Sequence, residues 1–558
     1  MLNFTVKLNG SNKLSFKTLA NINTKDQVID RQGQNLDSEN DILATALFYQ
    51  QNMFVSSQLL GKHGFGKGKQ TFEWNIGYST INKIIPDFRR IRYQRRFNSP
   101  EGTSFAYPTP AQPNLGIGGR FFSDLQENVI SANGDYLVKD ILGARIRSFQ
   151  LNTKVGVFLQ QRDREFNARN FGYVRYNTRN FDADQTADEN TIFSSDNLGP
   201  QGFIQEENTN PSESYQGASS LGAGYAMLDQ NFGKKLRLVY GARAEIFNQI
   251  LNSFKGQDPI EVNTTKVDIL PSVNATYNFS KKTNIRAAAS RTLSRPEFRE
   301  LAPFTFYDFA RQIEVGGNPD LERTSILNLD FRAEHYFAGN QLVSFSLFYK
   351  QFDNPIEQVT GSDITLGSIN TSFENALGAV NYGFELEFKR NLSFLLKDAK
   401  AQYKNWKNYF YFFANYAWIR SEVDVSNIAG AEIRPLQGQS PYVINGGVSY
   451  NNPANLMSGG ISVNRVGKRI VFVGVDVAPD LYENPRTVLD AQLSMRMAQK
   501  GKWQRLSLKL QATDILAQNI LIYQNQGVEG TDYVEGQSLD FRVTNPGRQA
   551  KLTLTYNF

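Results

Sequence analysis

Polarity alternates residue by residue over long stretches of this chain. The closing KLTLTYNF puts Leu552, Leu554, Tyr556 and Phe558 on one side of an extended strand and Lys551, Thr553, Thr555 and Asn557 on the other. Near the start, Leu2, Phe4, Val6 and Leu8 oppose Asn3, Thr5, Lys7 and Asn9. In 235–247, Leu236, Leu238, Tyr240, Ala242, Ala244 and Ile246 oppose Arg237, Arg243 and Glu245. The pattern predicts nineteen strands: 2–9, 13–24, 41–60, 70–84, 124–140, 147–162, 215–231, 235–252, 265–279, 283–293, 324–337, 341–357, 372–390, 407–423, 439–451, 456–467, 486–498, 503–522 and 546–558.

A soluble antiparallel sandwich with one wet face also alternates. Three features favour a membrane barrel instead. These strands run to about 10–15 residues, where soluble ones average about 5–6. One face collects charges while the other carries almost none. Aromatic residues gather at segment ends, as in Tyr409–Phe413, Tyr277, Phe279, Tyr556 and Phe558, where a barrel places its girdles. The expected fold is all-β, an antiparallel transmembrane β-barrel, with residues 1–558 as one outer-membrane barrel domain.

The links test this reading. Short ones, at 9–12, 231–235, 279–283, 337–341, 450–456 and 498–503, alternate with long polar ones at 93–124, 163–214, 293–323, 424–438, 467–484 and 523–546. The segment 391–406 is long where a short link is due. In an antiparallel barrel every second link shares a rim, so the tight turns are expected to face the periplasm, with the C-terminus, and the long loops the outside. Phe558 then sits where an aromatic ring is favoured at a membrane interface. Tyr556 and Phe558 are read as the terminal assembly signal of such a barrel. An odd strand number is unusual for a bacterial barrel. The first strand must also run toward the periplasm, so an odd number of strands is expected upstream of Met1.

Composition changes the picture in a few places. Mean hydropathy is −0.43, and no stretch approaches the roughly 18 apolar residues of a transmembrane helix. Phe (41) and Tyr (25) are abundant, Cys is absent and His occurs twice. Disulfides and thiolate metal sites are thereby excluded, and a transition-metal site is disfavoured. A net charge of +6, from 60 basic and 54 acidic residues, implies no nucleic-acid partner. The residues after Met1 do not form a charged region followed by an apolar core, so no leader peptide is read there.

The stretches ASRTLSRPEFRELAPF (289–304), GGNPDLERTSILNLDFRAEHYF (316–337), NYGFELEFKR (381–390) and NPGRQAKLTLTYNF (545–558), with DREFNARNFGYV (163–174), resemble the barrel of a TonB-dependent outer-membrane receptor of Bacteroidetes type. The resemblance implies about twenty-two strands around an N-terminal plug, of which these residues lack three strands and the plug. It implies a TonB energy-coupling complex, insertion by the barrel assembly machinery and import of a bulky, scarce nutrient such as a metal chelate, oligosaccharide or peptide. Contact with outer-membrane lipid follows, and accessory outer-membrane lipoproteins or complex subunits are conceivable partners. Two other readings stay open: a docking subunit of an outer-membrane complex, and a passive porin. An enzyme is not expected, since the two histidines offer no Ser/His/Asp constellation, and no cofactor or resident metal is expected.

Two residue sets carry the functional expectation. The loop tip 299–312 offers Arg299, Phe304, Phe306, Tyr307, Phe309 and Arg311, either to hold a flat, anionic, sugar or peptide ligand or to pack the barrel mouth. Residues 102–108 form a weaker patch of the same kind. The charges Arg237, Arg243, Glu245, Asp330, Arg332, Glu334, Glu385, Glu387, Lys389, Arg496, Arg505 and Lys509 should face the lumen, pairing with one another and a plug or lining a solute path. Of the histidines, His63 is read in a basic turn and His335 as interfacial; Asp182, Asp184 and Asp188 could hold calcium or simply form a solvated acidic loop.

Overall fold

The computed structural model describes all residues except 37, 115, 141–148, 177–178, 310–312, 340, 361–368, 393–408, 427–432, 452–455, 475–478, 499–500, 526–529 and 558. Its main sheet has 20 strands. One is a five-residue side strand, Phe203–Glu207, laid against the upper part of Phe149–Arg175. The other nineteen follow one another as antiparallel neighbours, from Leu2–Lys7 to Gln549–Tyr556, as the alternation predicts. Among the described residues each of these two end strands is paired on one side only.

The ladder register fixes which side chains share a face. Ile246 pairs with Val267 and Ala244 with Ile269, while the intervening Glu245 pairs with Asp268. Ile246, Val267 and Ile269 are 60–67% exposed, whereas Glu245 and Asp268 are buried. The apolar face is thus the uncovered one, and it stays so around the wall at Val157, Leu159, Leu329, Phe345, Ile461 and Leu552. Soluble proteins rarely expose a contiguous apolar patch beyond a few hundred Å². This wall is built for an apolar solvent. Among the described residues no helix is long and apolar enough to cross a membrane.

The early strands extend much further toward the long-loop end than the alternation predicts. Asn12–Asn35, Asn40–Phe65, Gln70–Arg96 and Phe149–Arg175 have 24 to 27 residues. Crossing a bilayer takes about 9–11. Their upper parts (KDQVIDRQGQN, RIRYQRR) are polar on both faces, so the period-two signal fades there. The backbone ladder does not need it: Lys25 to Asn35 pair without interruption with Gln50 back to Asn40. Residues 25–35, 253–255 and 258–264, expected between strands, are therefore strand, and the expected link from 163 begins only after Arg175. The late strands are shorter than expected. The segment 503–522 resolves into a 3₁₀ turn Lys502–Arg505, the wall strand Leu506–Thr513 and a separate strand Ile520–Gln524. Almost all of the anomalous link 391–406 lies outside the described residues.

Two four-stranded sheets cap the long-loop end, one from Phe306–Asp308, Ile313–Val315, Ile369–Asn375 and Ile356–Thr360, the other from Arg469–Phe472, Leu481–Glu483, Ile520–Gln524 and Leu539–Thr544. Ile313, Phe472, Leu481 and Ile522 form a common apolar core between them. Beside it, Glu357 and Arg434 are buried and paired at 2.9 Å. Removing one partner of a buried pair leaves an uncompensated charge, at a cost of about 3–5 kcal/mol. Glu357→Ala is therefore expected to speed hydrogen exchange in 354–360, 369–376 and 433–441, with exchange in the wall strands unchanged.

Candidate functional site

The segment 295–323 does not extend away from the wall; it folds onto the polar, inner face. Both of its ends approach the same carboxylate, Asp268, with Glu245 as the nearer partner of the first. Arg295 reaches Glu245 (2.7 Å) and Asp268 (3.5 Å), and Arg323 reaches Asp268 at 2.7 Å. Gln249 donates to the Pro296 carbonyl, and Arg162 bonds Glu297 at 3.0 Å. Glu297 then caps a four-residue helix, Phe298–Leu301, through a capping box with Glu300. Phe298 is wholly buried beneath the guanidinium groups of Arg162 and Arg164. Its ring lies so close to Gly217 that a Cβ there would sit 2.7 Å from it, which explains a glycine in the facing strand.

The aromatic run follows. Phe304, Tyr307 and Phe309 are buried against Ile42, Ala44, Ala46 and Phe88 of the tall strands. Arg31 donates to the Phe309 carbonyl (2.8 Å) and stacks on its ring. Arg299 donates to the Val315 carbonyl at 2.6 Å and stacks on Phe304; burial lowers its pKa to about 10. Arg311 lies outside the described residues. Of the loop-tip set, then, three aromatics pack the mouth, while Arg299, Phe304, Phe306 and Phe309 also line a cavity of about 580 Å³. Opposite them the wall contributes Phe48, Phe88, Phe121, Phe166, Lys25 and Lys83.

The lumen charges fall into groups. Arg243, Glu245, Arg295, Asp268 and Arg323 form one chain of ion pairs. Arg332 bridges Glu334 (2.7 Å) and Glu387 (2.9 Å), with Arg286 at 3.3 Å from Glu334. Arg237 pairs with Asp229 near the short-turn end. Asp330, Glu385 and Lys389 occupy positions of the same inner register, facing Ala288, Ser346 and Leu342. Arg496 and Lys509 sit opposite Ser507 and Ser494. Arg505 is not on the wall strand: it ends the 3₁₀ turn, and its carbonyl accepts from the Asn557 amide. Tyr556 closes the last wall strand; Phe558 lies outside the described residues.

His63 is in the strand Asn40–Phe65, not in a turn. Trp74 Nε1–H donates to its Nε2, so Nδ1 carries the proton toward Asn12 Oδ1. His335 bonds the Thr283 hydroxyl. In 102–108, Tyr107 is fully buried and donates to the Tyr173 carbonyl, while Phe105 lies under Arg95.

Pattern reading missed Arg295, Arg323 and Asp268 as clamps, and Lys25, Lys83, Phe48, Phe88, Phe121 and Phe166 as cavity wall. Five arginines within 89–96 (Arg89, Arg90, Arg92, Arg95 and Arg96) were the available signal.

With this geometry in hand, the chain compares clearly. It matches the family model described as "TonB dependent receptor-like, beta-barrel" over residues 6–515. The chain belongs to that family, and it is an outer-membrane receptor barrel. Among solved structures it is similar to the pyoverdine outer membrane receptor FpvA from Pseudomonas aeruginosa PAO1 (TM-score 0.55, 11% identity, covering 98% of this chain and 77% of that one). It is also similar to the ferric citrate transporter FecA (0.54, 10%, 100% and 78%) and to the ferric-catecholate import receptor Fiu from E. coli K12 (0.51, 10%, 100% and 79%). No curated protein sequence matches.

Two outcomes are expected. Asp268→Ala frees the Arg323 end and strands that arginine, at a cost of about 3–5 kcal/mol, while Glu245 keeps Arg295; limited proteolysis should cut within 295–323 faster, while the wall keeps its heat-modifiable mobility. In the acidic loop, the Asp184 and Asp188 carboxylates accept from the side chain and amide of Thr186, and from the Thr191 hydroxyl and Asn190 amide. These bonds hold both pKa values below the usual 3.8, with the Thr186 and Thr191 hydroxyls as the leading causes. A depressed carboxylate stabilises above its unfolded pKa and loses that contribution as pH falls through the folded one. Amide protection at Thr186 and Asn190 is thus expected to hold above pH 3.8 and fall below it.

Proposed function

We propose that this protein is an energy-coupled importer of a bulky, scarce solute, which enters at the long-loop end and passes through a barrel occupied by a plug. The observation that carries this reading is the inward-folded segment 295–323. Pinned to the inner wall and roofing a cavity, it gives the mouth a solute-sized compartment rather than an open bore. Membership of the receptor family supports TonB coupling and a plug. Both are proposed to come with the intact polypeptide, as are the strands that would pair with Leu2–Lys7 and Gln549–Tyr556, because an unpaired strand edge inside a bilayer is costly. The long loops are proposed to face outward and the tight turns the periplasm. The charges of the inner register, among them Asp330, Glu385, Lys389, Arg496 and Lys509, are proposed to line the solute path or meet the plug.

The absence of cysteine makes the orientation directly testable. Ser195→Cys is expected to react with an impermeant maleimide in intact cells, and Lys281→Cys only after the outer membrane is opened; the opposite pattern would invert the topology. For transport, solute accumulation should vanish when TonB-type coupling is removed, while surface binding persists. Steady conductance that ignores coupling would replace this reading with a passive pore.

A further inference from the structure

The receptor reading leaves the chemistry of the solute open, and the cavity roofed by residues 304–309 narrows it. Its volume of about 580 Å³ suits a molecule of drug size. Its apolar lining is mostly phenylalanine: Phe48, Phe88, Phe121, Phe166, Phe304 and Phe306. These rings offer broad faces and no hydrogen bonds, and the neutral polar groups on the lining are few: Gln27, Gln50, Ser123 and Tyr215. A flat conjugated body would stack on the rings.

Charge supplies the second constraint. Four cations line the cavity, Lys25, Lys83, Arg164 and Arg299, against one carboxylate, Asp308. Arg164 is satisfied by Glu127 at 2.5 Å. Among the described residues Lys25 has the Phe48 ring and no carboxylate, Lys83 has neither, and Arg299 bonds backbone carbonyls alone. Behind the roof the imbalance continues. Arg90 and Arg92 are 5% and 8% exposed, and Nε and Nη2 of the first and Nε of the second have no hydrogen-bond partner. The Arg90 guanidinium touches both Phe88 of the cavity wall and Tyr307 of the roof. Among the described residues only the more distant carboxylates of Glu213 and Glu314 offset the Arg90 charge; incompletely compensated buried cations are costly, and a low-dielectric pocket concentrates their field on whatever enters.

We infer that this cavity binds an organic anion with a flat, conjugated body, its rings among the phenylalanines and its acid groups at Lys25, Lys83 and Arg299. The assignment rests on the receptor reading above, and it names the substrate class of that same mouth.

The test uses outer-membrane vesicles from cells that make the intact protein and from cells that lack it. They are titrated with pyrene-1,3,6,8-tetrasulfonate, a flat tetra-anion, and with maltotetraose as the neutral probe. Saturable binding of the pyrene probe is expected only where the protein is present. Lys83→Gln and Arg299→Gln should each weaken it about tenfold, the size of a lost charge-assisted hydrogen bond, and Arg299→Lys should restore most of the loss. Arg169→Gln, whose side chain pairs with Glu207 away from the cavity, should leave it unchanged. If a variant fails to insert, salt carries the same test on the unaltered protein: binding should weaken steeply between about 50 and about 500 mM NaCl. Absence of saturable binding, indifference to both salt and substitution, or tighter binding of maltotetraose overturns the inference. Coupled uptake of a neutral solute with no probe binding sinks the inference and spares the receptor reading. Probe binding without coupled uptake does the reverse.

Discussion

In hydrocarbon a backbone amide has no water to turn to, and each one left unpaired costs several kcal/mol. That constraint orders everything else in this molecule. It forces neighbour-to-neighbour antiparallel pairing through nineteen strands, and pairing in turn fixes a period of two for every side chain. Once the outer positions are given over to aliphatic and aromatic groups, most of the charges the strands carry point to the other side, with exceptions such as Arg291 and Arg465 on the outer register. The ion-pair chains on the inner face, Arg243 through Arg323 and Arg286 through Glu387, follow from that sorting.

The same sorting explains how much could be read in the sequence. Within the apolar slab, one face of each strand must be greasy, so the alternation at Leu236–Ile246 or Leu327–Phe331 reports the strand, its register and its inner charges at once. Above the slab both faces are wet. There the strand persists through backbone pairing alone, and Lys25–Asn35 or Arg89–Arg96 look like loop to any reading based on hydrophobic period. The cavity escaped for this reason: Lys25, Phe48, Lys83 and Phe88 come from three strands at or near the level where the signal fades, and only the ladder brings them together. The loop segment was found by its aromatic and arginine content, but composition could not say that Phe304, Tyr307 and Phe309 turn inward and pack. Nor could it show that Arg295 and Arg323, 28 positions apart by their numbers, meet one aspartate.

Placement on the wall also separates two kinds of arginine. Those with carboxylates within reach, such as Arg332 or Arg295, hold strands and segments in place, and their charge is spent internally. Those near the mouth, Arg90, Arg92 and Arg299, make no direct ion pair among the described residues and face rings and carbonyl groups, with Glu213 and Glu314 at longer range from Arg90. The contrast between neighbours on one wall marks off scaffold from binding surface more sharply than any single residue does.

Asp268 gives the mouth segment an uncommon thermodynamic character. A strap fastened at two separate points can lift at either end, and its behaviour is a blend of several partly detached forms. Here Arg323 bonds Asp268 directly, and Arg295, seated on Glu245, lies 3.5 Å from the same carboxylate, so loosening one end alters the field felt by the other. The two ends are therefore coupled rather than independent, while Glu245 keeps the first end seated when the second lifts.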